Sequence, residues 1–379
     1  MRKLLFIISF FVGLIFLYGV WSNYGKVSNT SELPKSESPA LTVIEVGEKG
    51  KQGNLLGIQP FMEPMDYATE EKFYQKLNSY LAEAKVAGLL NAKSVVVFPE
   101  HIGTWLVAAN EKMEVYETGS SQEALQLTAL SNIIKFASSY LQAEAEHKVN
   151  AAIFSMKADQ TAKMYSAVFK KLAIQYIITI VAGSIFLPSP HVVNNNIEVG
   201  GGPIYNASFV FLPNGSIAPQ VIKKQFPINE ELVFCKADTT EAPIIESPLG
   251  KLGVVICADS WYPNVYATLS KQEAEVIVIA SFSSPNGLWK TKWKGYNGSE
   301  MPADVNAEDV DKITEGEAWL KYSMGGRAPK ISSIKLGINV FLRGNIWDLG
   351  DDGHTIVYKN GKVFTSPFYD GPQITVVWK

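Results

Sequence analysis

The chain has 379 residues, and 47% of them are hydrophobic, so it is long and apolar enough to bury a large core. Its 34 basic and 37 acidic residues nearly balance, which argues against nucleic-acid binding because that function needs an excess of positive charge. The two cysteines, Cys235 and Cys257, form no CxxC pattern, and the four histidines follow no zinc-binding spacing. The sequence therefore predicts neither a disulfide framework nor a metal site, and it offers no cofactor motif.

The N-terminus has the pattern of a membrane segment. Met1-Arg2-Lys3 is a positively charged start, and Leu4–Trp21 is then an almost unbroken apolar run of about 18 residues, the lower end of what spans a bilayer. A cleavable signal would have a shorter apolar core and a small-x-small cleavage site, which Ser22–Gly25 does not clearly offer. We therefore predict an uncleaved transmembrane anchor over residues 1–22, with secretion after signal cleavage as the alternative.

The charges around this run predict its orientation. Basic residues precede it, whereas only Lys26 closely follows it, so the positive-inside rule places the N-terminus in the cytoplasm and the rest of the chain outside. Residues 23–40 are predicted to be a linker, because from Ser28 onward they are rich in Ser, Pro and charge without periodicity. Leu41–Val46 then fits an edge strand.

Residues 41–379 are predicted to form one α/β domain. Leu55–Pro60 fits a buried strand, and apolar residues spaced by three and four between Glu70 and Leu90 predict an amphipathic helix. The apolar strand Ser94–Phe98 then runs into Pro99 and Glu100. This β-α-β order is typical of a layered α/β sheet.

Residues 107–154 carry a further helical pattern, most clearly over Ser121–Glu146. One interpretation is an additional packed helix. The other is an insertion over the mouth of a functional site, facing a substrate or a membrane. A helix over Ala162–Ala173 and a strand over Ile177–Ala182 are predicted to follow.

Two later apolar stretches also end at reactive side chains. The apolar pair Val221–Ile222 runs into Lys223 and Lys224, with Glu230 and Glu231 close behind. The apolar stretch Gly253–Ile256 ends abruptly at Cys257. A carboxylate, an amine and a thiol thus each lie where a predicted strand ends, which is the edge at which open α/β sheets bind ligands. Each alone has an ordinary interpretation, since free cysteines are usually buried and lysine pairs are usually solvated.

Together, these three stretches resemble the nitrilase, or carbon–nitrogen hydrolase, superfamily, whose Glu–Lys–Cys triad occurs in this chain order. The resemblance runs from about Leu55 to the C-terminus and includes Ile180–Ser184, Tyr205–Ser208 and Pro213–Gly215. It implies a four-layer α-β-β-α sandwich, here preceded by one transmembrane helix, and it implies a possible homodimer.

The resemblance leaves two candidates for the lysine. Lys224 fits the family's Arg-Lys-x-x-Pro form without gaps, and Glu231 then stands where a second glutamate orients the lysine. Lys223 fits the Lys-x-His-Leu form with two departures, and Glu230 would be its partner. Because neighbouring residues of a strand face opposite sides, only one lysine can point inward, and we favour Lys224.

The implied chemistry begins with attack by the Cys257 thiolate. Glu100 would accept the thiol proton and return it to the leaving amine, and exclusion of water should raise the pKa of Glu100 toward neutrality. Lys224 and the backbone N–H of Ala258 would stabilise the oxyanion. The product of this step is a thioester, which water or another acceptor then attacks.

The resemblance therefore implies a thiol-dependent hydrolase of a small-molecule amide or a related substrate, without metal or organic cofactor. Asp259 and Pro263 match the Cys-x-Asp…Pro form that favours amides over nitriles. One alternative is acyl transfer to an amine, as in the apolipoprotein N-acyltransferase branch, although that branch carries several membrane spans. The other is a catalytically silent binding module on the same fold.

Overall fold

A computed structural model describes residues 2–36 and 38–379, so Met1 of the predicted anchor and Glu37 of the predicted linker lie outside the described residues. The helices are α1 (Arg2–Asn23), α2 (Glu70–Val86), α3 (Met113–Glu117), α4 (Ser121–Ser131), α5 (Ile133–Gln142), α6 (Lys148–Tyr176), α7 (Asn229–Leu232), α8 (Pro263–Lys271), α9 (Glu315–Tyr322) and α10 (Met324–Arg327). The strands are β1 (Thr42–Val46), β2 (Asn54–Gln59), β3 (Phe61–Met62), β4 (Ser94–Val97), β5 (Thr179–Val181), β6 (Ile185–Pro188), β7 (His191–Val193), β8 (Asn196–Glu198), β9 (Ile204–Ser208), β10 (Val210–Phe211), β11 (Ile222–Lys223), β12 (Ile244–Ser247), β13 (Gly250–Ile256), β14 (Val276–Ser281), β15 (Leu336–Phe341), β16 (Arg343–Gly344), β17 (Ile356–Lys359), β18 (Lys362–Thr365) and β19 (Gln373–Trp378).

Two large sheets stack face to face at the centre of the molecule. One has the strand order β1-β19-β2-β4-β5-β10 and the other β12-β13-β14-β15-β17-β18. Side chains of β4 alternate between faces, as a strand requires. Val95 and Val97 point into the apolar cluster between the sheets, whereas Val96 joins the cluster formed with α2 and α6. Glycine at position 57 permits this close stacking, since a Cβ there would lie 2.3 Å from Val340 Cγ1.

Helices cover the outer faces and complete the predicted four-layer α-β-β-α sandwich. Helices α2 and α6 pack on the sheet that contains β4, because their apolar residues recur at helical spacing. On the other side, Val265 and Leu269 of α8 and Ala318 of α9 pack into the cluster of the second sheet. The predicted edge strand is also confirmed, since β1 pairs in parallel with β19 at the sheet edge.

Helix α1 confirms the predicted N-terminal helix, and most of its apolar side chains are exposed. Over Lys3–Asn23 it is long and apolar enough to cross a membrane, by length and composition. A signal sequence has the same properties, so its retention and orientation stay predictions.

The predicted linker contacts the domain. Lys72 Nζ donates to the carbonyl of Leu33 at 3.2 Å and to that of Pro34 at 2.6 Å. Lys76 Nζ donates to Ser38 Oγ at 2.6 Å. These bonds hold the segment along α2, so it approaches the sandwich along a defined path.

The region 107–154 is helical but more broken than its sequence pattern indicates. The predicted helix Ser121–Glu146 is divided into α4 and α5 at Asn132, whose backbone leaves the helical region (φ −131°, ψ 33°). The Asn132 amide donates instead to Glu111 Oε1 at 2.8 Å and to the Thr128 carbonyl at 2.8 Å. Helix α6 begins at Lys148, well before the predicted start at Ala162, because buried apolar positions continue that far back.

Candidate active site

The structure brings Glu100, Lys224 and Cys257 together at the ends of their strands. Glu100 follows β4, and Lys224 and Cys257 come directly after β11 and β13. Lys224 Nζ lies 2.8 Å from Glu100 Oε1, and the Cys257 thiol is close enough for the Glu100 charge to shift its pKa. Residues distant in sequence therefore meet at one buried point.

The backbone at Cys257 has an unusual conformation. Its φ of 44° lies in the left-handed region, which non-glycine residues rarely adopt, and a 3-10 turn over Cys257–Trp261 starts there. Such conformations cost on the order of 1–3 kcal/mol and cluster at active sites. The turn leaves Sγ 3.7 Å from the Phe282 carbonyl, and the Phe282 N–H donates to Glu100 Oε2 at 3.1 Å. Phe282 thus contacts both the thiol and the carboxylate.

The two lysines point in opposite directions, as strand alternation requires. Lys224 is 1% exposed, and its Nζ lies 2.6 Å from Glu231 Oε2 as well as beside Glu100. Lys223 is half-buried, and its Nζ lies over the Tyr205 ring, 4.6 Å from the centroid. The structure therefore joins Lys224, and not Lys223, to the cluster.

The two glutamates proposed as partners of the lysine also lie in different environments. Glu231 is buried, and its Oε2 accepts from the Ile228 N–H at 3.0 Å in addition to Lys224. Glu230 is exposed, and its Oε2 accepts from Asn297 Nδ2 at 2.9 Å. The lysine ammonium is consequently held between the carboxylates of Glu100 and Glu231.

Sequence reasoning missed Asn206 and His101. Asn206 is fully buried, and its Nδ2 donates to Glu100 Oε1 at 2.9 Å and to Glu231 Oε1 at 2.8 Å. A polar residue within the apolar strand β9 was the available signal. His101 Nε2 lies 3.9 Å from Glu100 Oε1 and 4.0 Å from Glu231 Oε1. Its only signal was its position next to Glu100.

The electrostatics assign a protonation state to each member. Burial alone would raise the pKa of Glu100, but the Lys224 charge and hydrogen bonds from Lys224 and Cys257 hold that pKa below its ordinary value. The expectation of a raised Glu100 pKa is therefore wrong for this state, because it considered burial without the paired cation. Burial and the Glu100 charge raise the pKa of the Cys257 thiol well above its ordinary value.

The pKa values of Lys224 and His101 shift in opposite directions. Burial disfavours the ammonium of Lys224, but the charges of Glu100 and Glu231 outweigh it and raise the Lys224 pKa well above its ordinary value. Burial lowers the pKa of His101. The resting cluster therefore combines a Glu100 carboxylate, a Lys224 ammonium, a neutral His101 and a neutral Cys257 thiol, so the thiol must lose its proton as it reacts.

A metal ion would fit this cluster poorly. Glu100, His101 and Glu231 each have one possible ligand atom, and these three atoms lie within 4.8 Å of one another. This spacing alone would be compatible with a cation. The Lys224 ammonium, however, already binds both carboxylates. A divalent ion at this place would meet a fixed positive charge at close range.

Asp259 links the lysine segment to the cysteine turn. Its Oδ1 accepts from the N–H groups of Gln225 at 3.0 Å and Phe226 at 2.7 Å, directly after Lys224. Burial raises the pKa of Asp259 to about 7. Asp259 thus fixes the position of Lys224 relative to Cys257, a role that its place in the family pattern did not reveal.

The cysteine opens onto a cavity of about 590 Å³. Aromatic side chains dominate its wall, and Ala258 also lines it. These aromatic residues are Trp105, Phe154, Phe186, Phe234, Trp261, Tyr262, Phe282, Trp293, Tyr296 and Trp319. The region 107–154 contributes Leu125, Asn150 and Phe154, so this region forms part of the cavity wall.

The chain is similar to known carbon–nitrogen hydrolases. A family model described as carbon–nitrogen hydrolase matches residues 56–295. Among curated proteins, none matches the chain. A solved carbon–nitrogen hydrolase from Helicobacter pylori G27 is 17% identical with a TM-score of 0.50, covering 86% of this chain and 88% of that chain.

Solved structures of a Nesterenkonia amidase have the same fold. One mutant of the Nesterenkonia AN1 amidase, from the nitrilase superfamily, is 12% identical with a TM-score of 0.51, covering 86% of this chain and 91% of that chain. Another mutant of that amidase carries the acetamide moiety of fluoroacetamide covalently added at its active site cysteine. It is 14% identical with a TM-score of 0.51, covering 88% of this chain and 92% of that chain.

Proposed function

The chain belongs to the carbon–nitrogen hydrolase family, and we propose that it hydrolyses an amide through a thioester on Cys257. The observation that carries the proposal is the meeting of Glu100, Lys224 and Cys257 at one buried point, where Cys257 also lines a cavity. A thiol, a carboxylate that can accept its proton, and a cation that can bind an oxyanion are the groups that acyl transfer to sulfur requires.

In the first step, Cys257 Sγ bonds to the amide carbon while its proton passes to the Glu100 carboxylate. The carbonyl π electrons move to oxygen, and the resulting oxyanion binds the Lys224 ammonium and the Ala258 backbone N–H. The proton has a short way to travel, because the Phe282 backbone contacts both the thiol and the Glu100 carboxylate.

In the second step, protonated Glu100 donates its proton to the nitrogen as the carbon–nitrogen bond breaks. The amine leaves, and the acyl group remains on sulfur as a thioester. Glu100 then deprotonates a water that attacks the thioester carbon. Release of the carboxylic acid returns the proton to Cys257, so atoms and charge balance over the cycle.

The cavity supports a substrate whose acyl portion is apolar or aromatic. Ten aromatic side chains line its wall, and burial of such a group contributes roughly 25 cal/mol per Å² of apolar surface removed from water. Glu315, half-buried in the same wall, has a pKa raised to about 7 by burial, which reduces its charge near neutral pH. We therefore propose an uncharged amide with a sizeable apolar group.

Two measurements test the reaction. Fluoroacetamide should add an acetamide group to Cys257, mapped by peptide mass spectrometry, and the Cys257→Ala variant should lack the adduct. Cys235→Ala is the matched control, because Cys235 is equally buried but lines no part of the cavity. An adduct that persists in Cys257→Ala would contradict the proposed nucleophile.

Product analysis distinguishes hydrolysis from transfer. Amides with apolar acyl groups are incubated with and without an added amine, and the proposal expects the carboxylic acid in both. A new amide that replaces the acid when amine is present would instead identify an acyltransferase. The absence of both products and of the Cys257 adduct would favour a silent binding module.

A further inference from the structure

Helix α5 (Ile133–Gln142) presents an apolar surface that the rest of the described chain does not cover. Ile134 and Leu141 lie two turns apart on one face and are 73% and 82% exposed. Lys135 and Gln142 lie on the adjoining polar face, about 100° around the helix from Ile134 and Leu141 respectively, and are also exposed. Among the described residues of α5, none is fully buried. The helix is thus amphipathic, with its apolar face turned outward.

The start of α5 contacts the apolar helix α1. Tyr18 Oη donates to the Leu130 carbonyl at 2.9 Å and accepts from the Ile133 N–H at 2.9 Å. Tyr18 is five residues before the end of α1, or about 7.5 Å along the helix axis. The start of α5 therefore lies beside the last turns of α1, at the level of its apolar span.

Side chains typical of a bilayer boundary surround this junction. Trp21 and Tyr24 lie at the end of α1, and Tyr24 is 80% exposed. Lys112 Nζ lies 3.7 Å from the centroid of the Trp21 ring. Lys135 extends from the polar side of α5 and is exposed. Tryptophan and tyrosine concentrate at the headgroup level of membranes, and lysine is attracted to anionic lipid there.

We propose that α5 is a second membrane-binding element, which lies in the interface of the bilayer that α1 spans. A short amphipathic helix of this kind buries its apolar face about 5–10 Å into the headgroup boundary. A bilayer fits better than a second protein because α5 starts beside α1, whose apolar side chains are themselves exposed.

The docking of α5 also orients the cavity. Phe136 on the inner side of α5 packs in the same apolar cluster as Phe154 and Phe186. Both of these phenylalanines line the cavity that contains Cys257. An interfacial α5 therefore brings the apolar cavity wall to within one layer of side chains of the membrane surface.

Spin-label accessibility in nanodiscs tests the proposal on the full chain. The nanodiscs are made of phosphatidylcholine and phosphatidylglycerol and hold one chain each. The chain carries Cys257→Ala, and the remaining native cysteine, Cys235, is only 4% exposed and therefore protected from the label. Labels are placed through Leu141→Cys and, as a matched control on the polar side of the same helix, Gln142→Cys. Val86→Cys controls for apolar exposure elsewhere, because Val86 is 87% exposed on α2. Collision rates with oxygen and with a water-soluble nickel complex are measured.

The label at position 141 should collide readily with oxygen and be shielded from nickel, whereas labels at 142 and 86 should be open to nickel. Equal nickel accessibility at 141 and 142 would overturn the proposal. Shielding of position 141 only in discs that hold two chains would also overturn it, since it would identify a contact between copies. The readout needs no turnover, so it is independent of the proposed reaction.

Discussion

Replacing Lys224 by methionine separates its role from that of its neighbour. Met has a similar length without the charge, and Lys223→Met is the matched control. Lys224 is 1% exposed between two carboxylates, at 2.8 Å from Glu100 Oε1 and 2.6 Å from Glu231 Oε2. Lys223 is half-buried and contacts the face of Tyr205. The two substitutions remove the same charge from adjacent positions.

The expected magnitudes differ strongly. Lys224→Met leaves buried carboxylates without their cation, and breaking a buried ion pair in this way costs about 3–5 kcal/mol of unfolding free energy. Lys223→Met loses a half-buried cation–π contact, which contributes on the order of 1 kcal/mol. Turnover should fall on the order of a hundredfold or more for Lys224→Met, the scale for one oxyanion donor, and should stay near wild type for Lys223→Met.

The stability loss of Lys224→Met should depend on pH. In the wild type, the lowered pKa of Glu100 contributes stability above its unfolded-state pKa, and that stability is lost as pH falls through the folded pKa. Without Lys224, burial raises the pKa of Glu100. The variant then gains stability below the unfolded pKa and loses it as pH rises through the raised pKa. The gap between the two proteins should be widest at high pH.

Urea unfolding of the full chain in detergent micelles measures this gap, followed by tryptophan fluorescence at about pH 8 and about pH 5. Turnover of an amide is measured on the same preparations. If both variants unfold at the wild-type midpoint and turn over normally, the ion-pair reasoning is refuted. If Lys223→Met is the inactive one, the assignment of the two lysines is wrong.

Further predictions concern single groups. Glu100→Gln should be nearly inactive, because an amide cannot accept the thiol proton. In a pH–rate profile, wild-type turnover should persist below the ordinary glutamate pKa and fall only as the pH drops through the lowered pKa of Glu100. Asp259→Asn should reduce the dependence of the unfolding free energy on pH. The wild-type carboxyl, with its pKa raised to about 7, favours folding below its unfolded-state pKa and loses this contribution as pH rises to about 7, which urea midpoints would record. A reporter enzyme fused after Lys379 should be active only outside the cytoplasm, and cytoplasmic activity would contradict the predicted topology.

The ends of the strands could be predicted because apolar runs mark where strands stop. Open α/β sheets bind their ligands at that edge. The resemblance to the nitrilase superfamily then predicted that Glu100, Lys224 and Cys257 meet in one cluster. Strand alternation required that only one of the two lysines point inward, and the gapless match to the family's Arg-Lys-x-x-Pro form favoured Lys224. The alternation of helix and strand periods predicts a layered α/β sheet, and the four layers followed from the resemblance.

The remaining site features depend on contacts between distant segments. Asn206 becomes part of the site because β9 brings its amide between two carboxylates, and no local spacing records that distance. The pKa of Glu100 was mispredicted for the same reason, since its sign depends on how closely Lys224 approaches. The division of α4 from α5 at Asn132 follows from a hydrogen bond to Glu111, twenty-one residues away.

The paired carboxylates around Lys224 suit the proposed reaction because they conserve charge at a buried point. At rest, the Lys224 ammonium binds the Glu100 carboxylate. When Cys257 attacks, its proton neutralises Glu100 and the negative charge moves to the substrate oxygen. Lys224 then exchanges one anionic partner for another, so the cluster keeps its net charge throughout. In a low-dielectric site a net change would be costly, and a preorganised exchange avoids it.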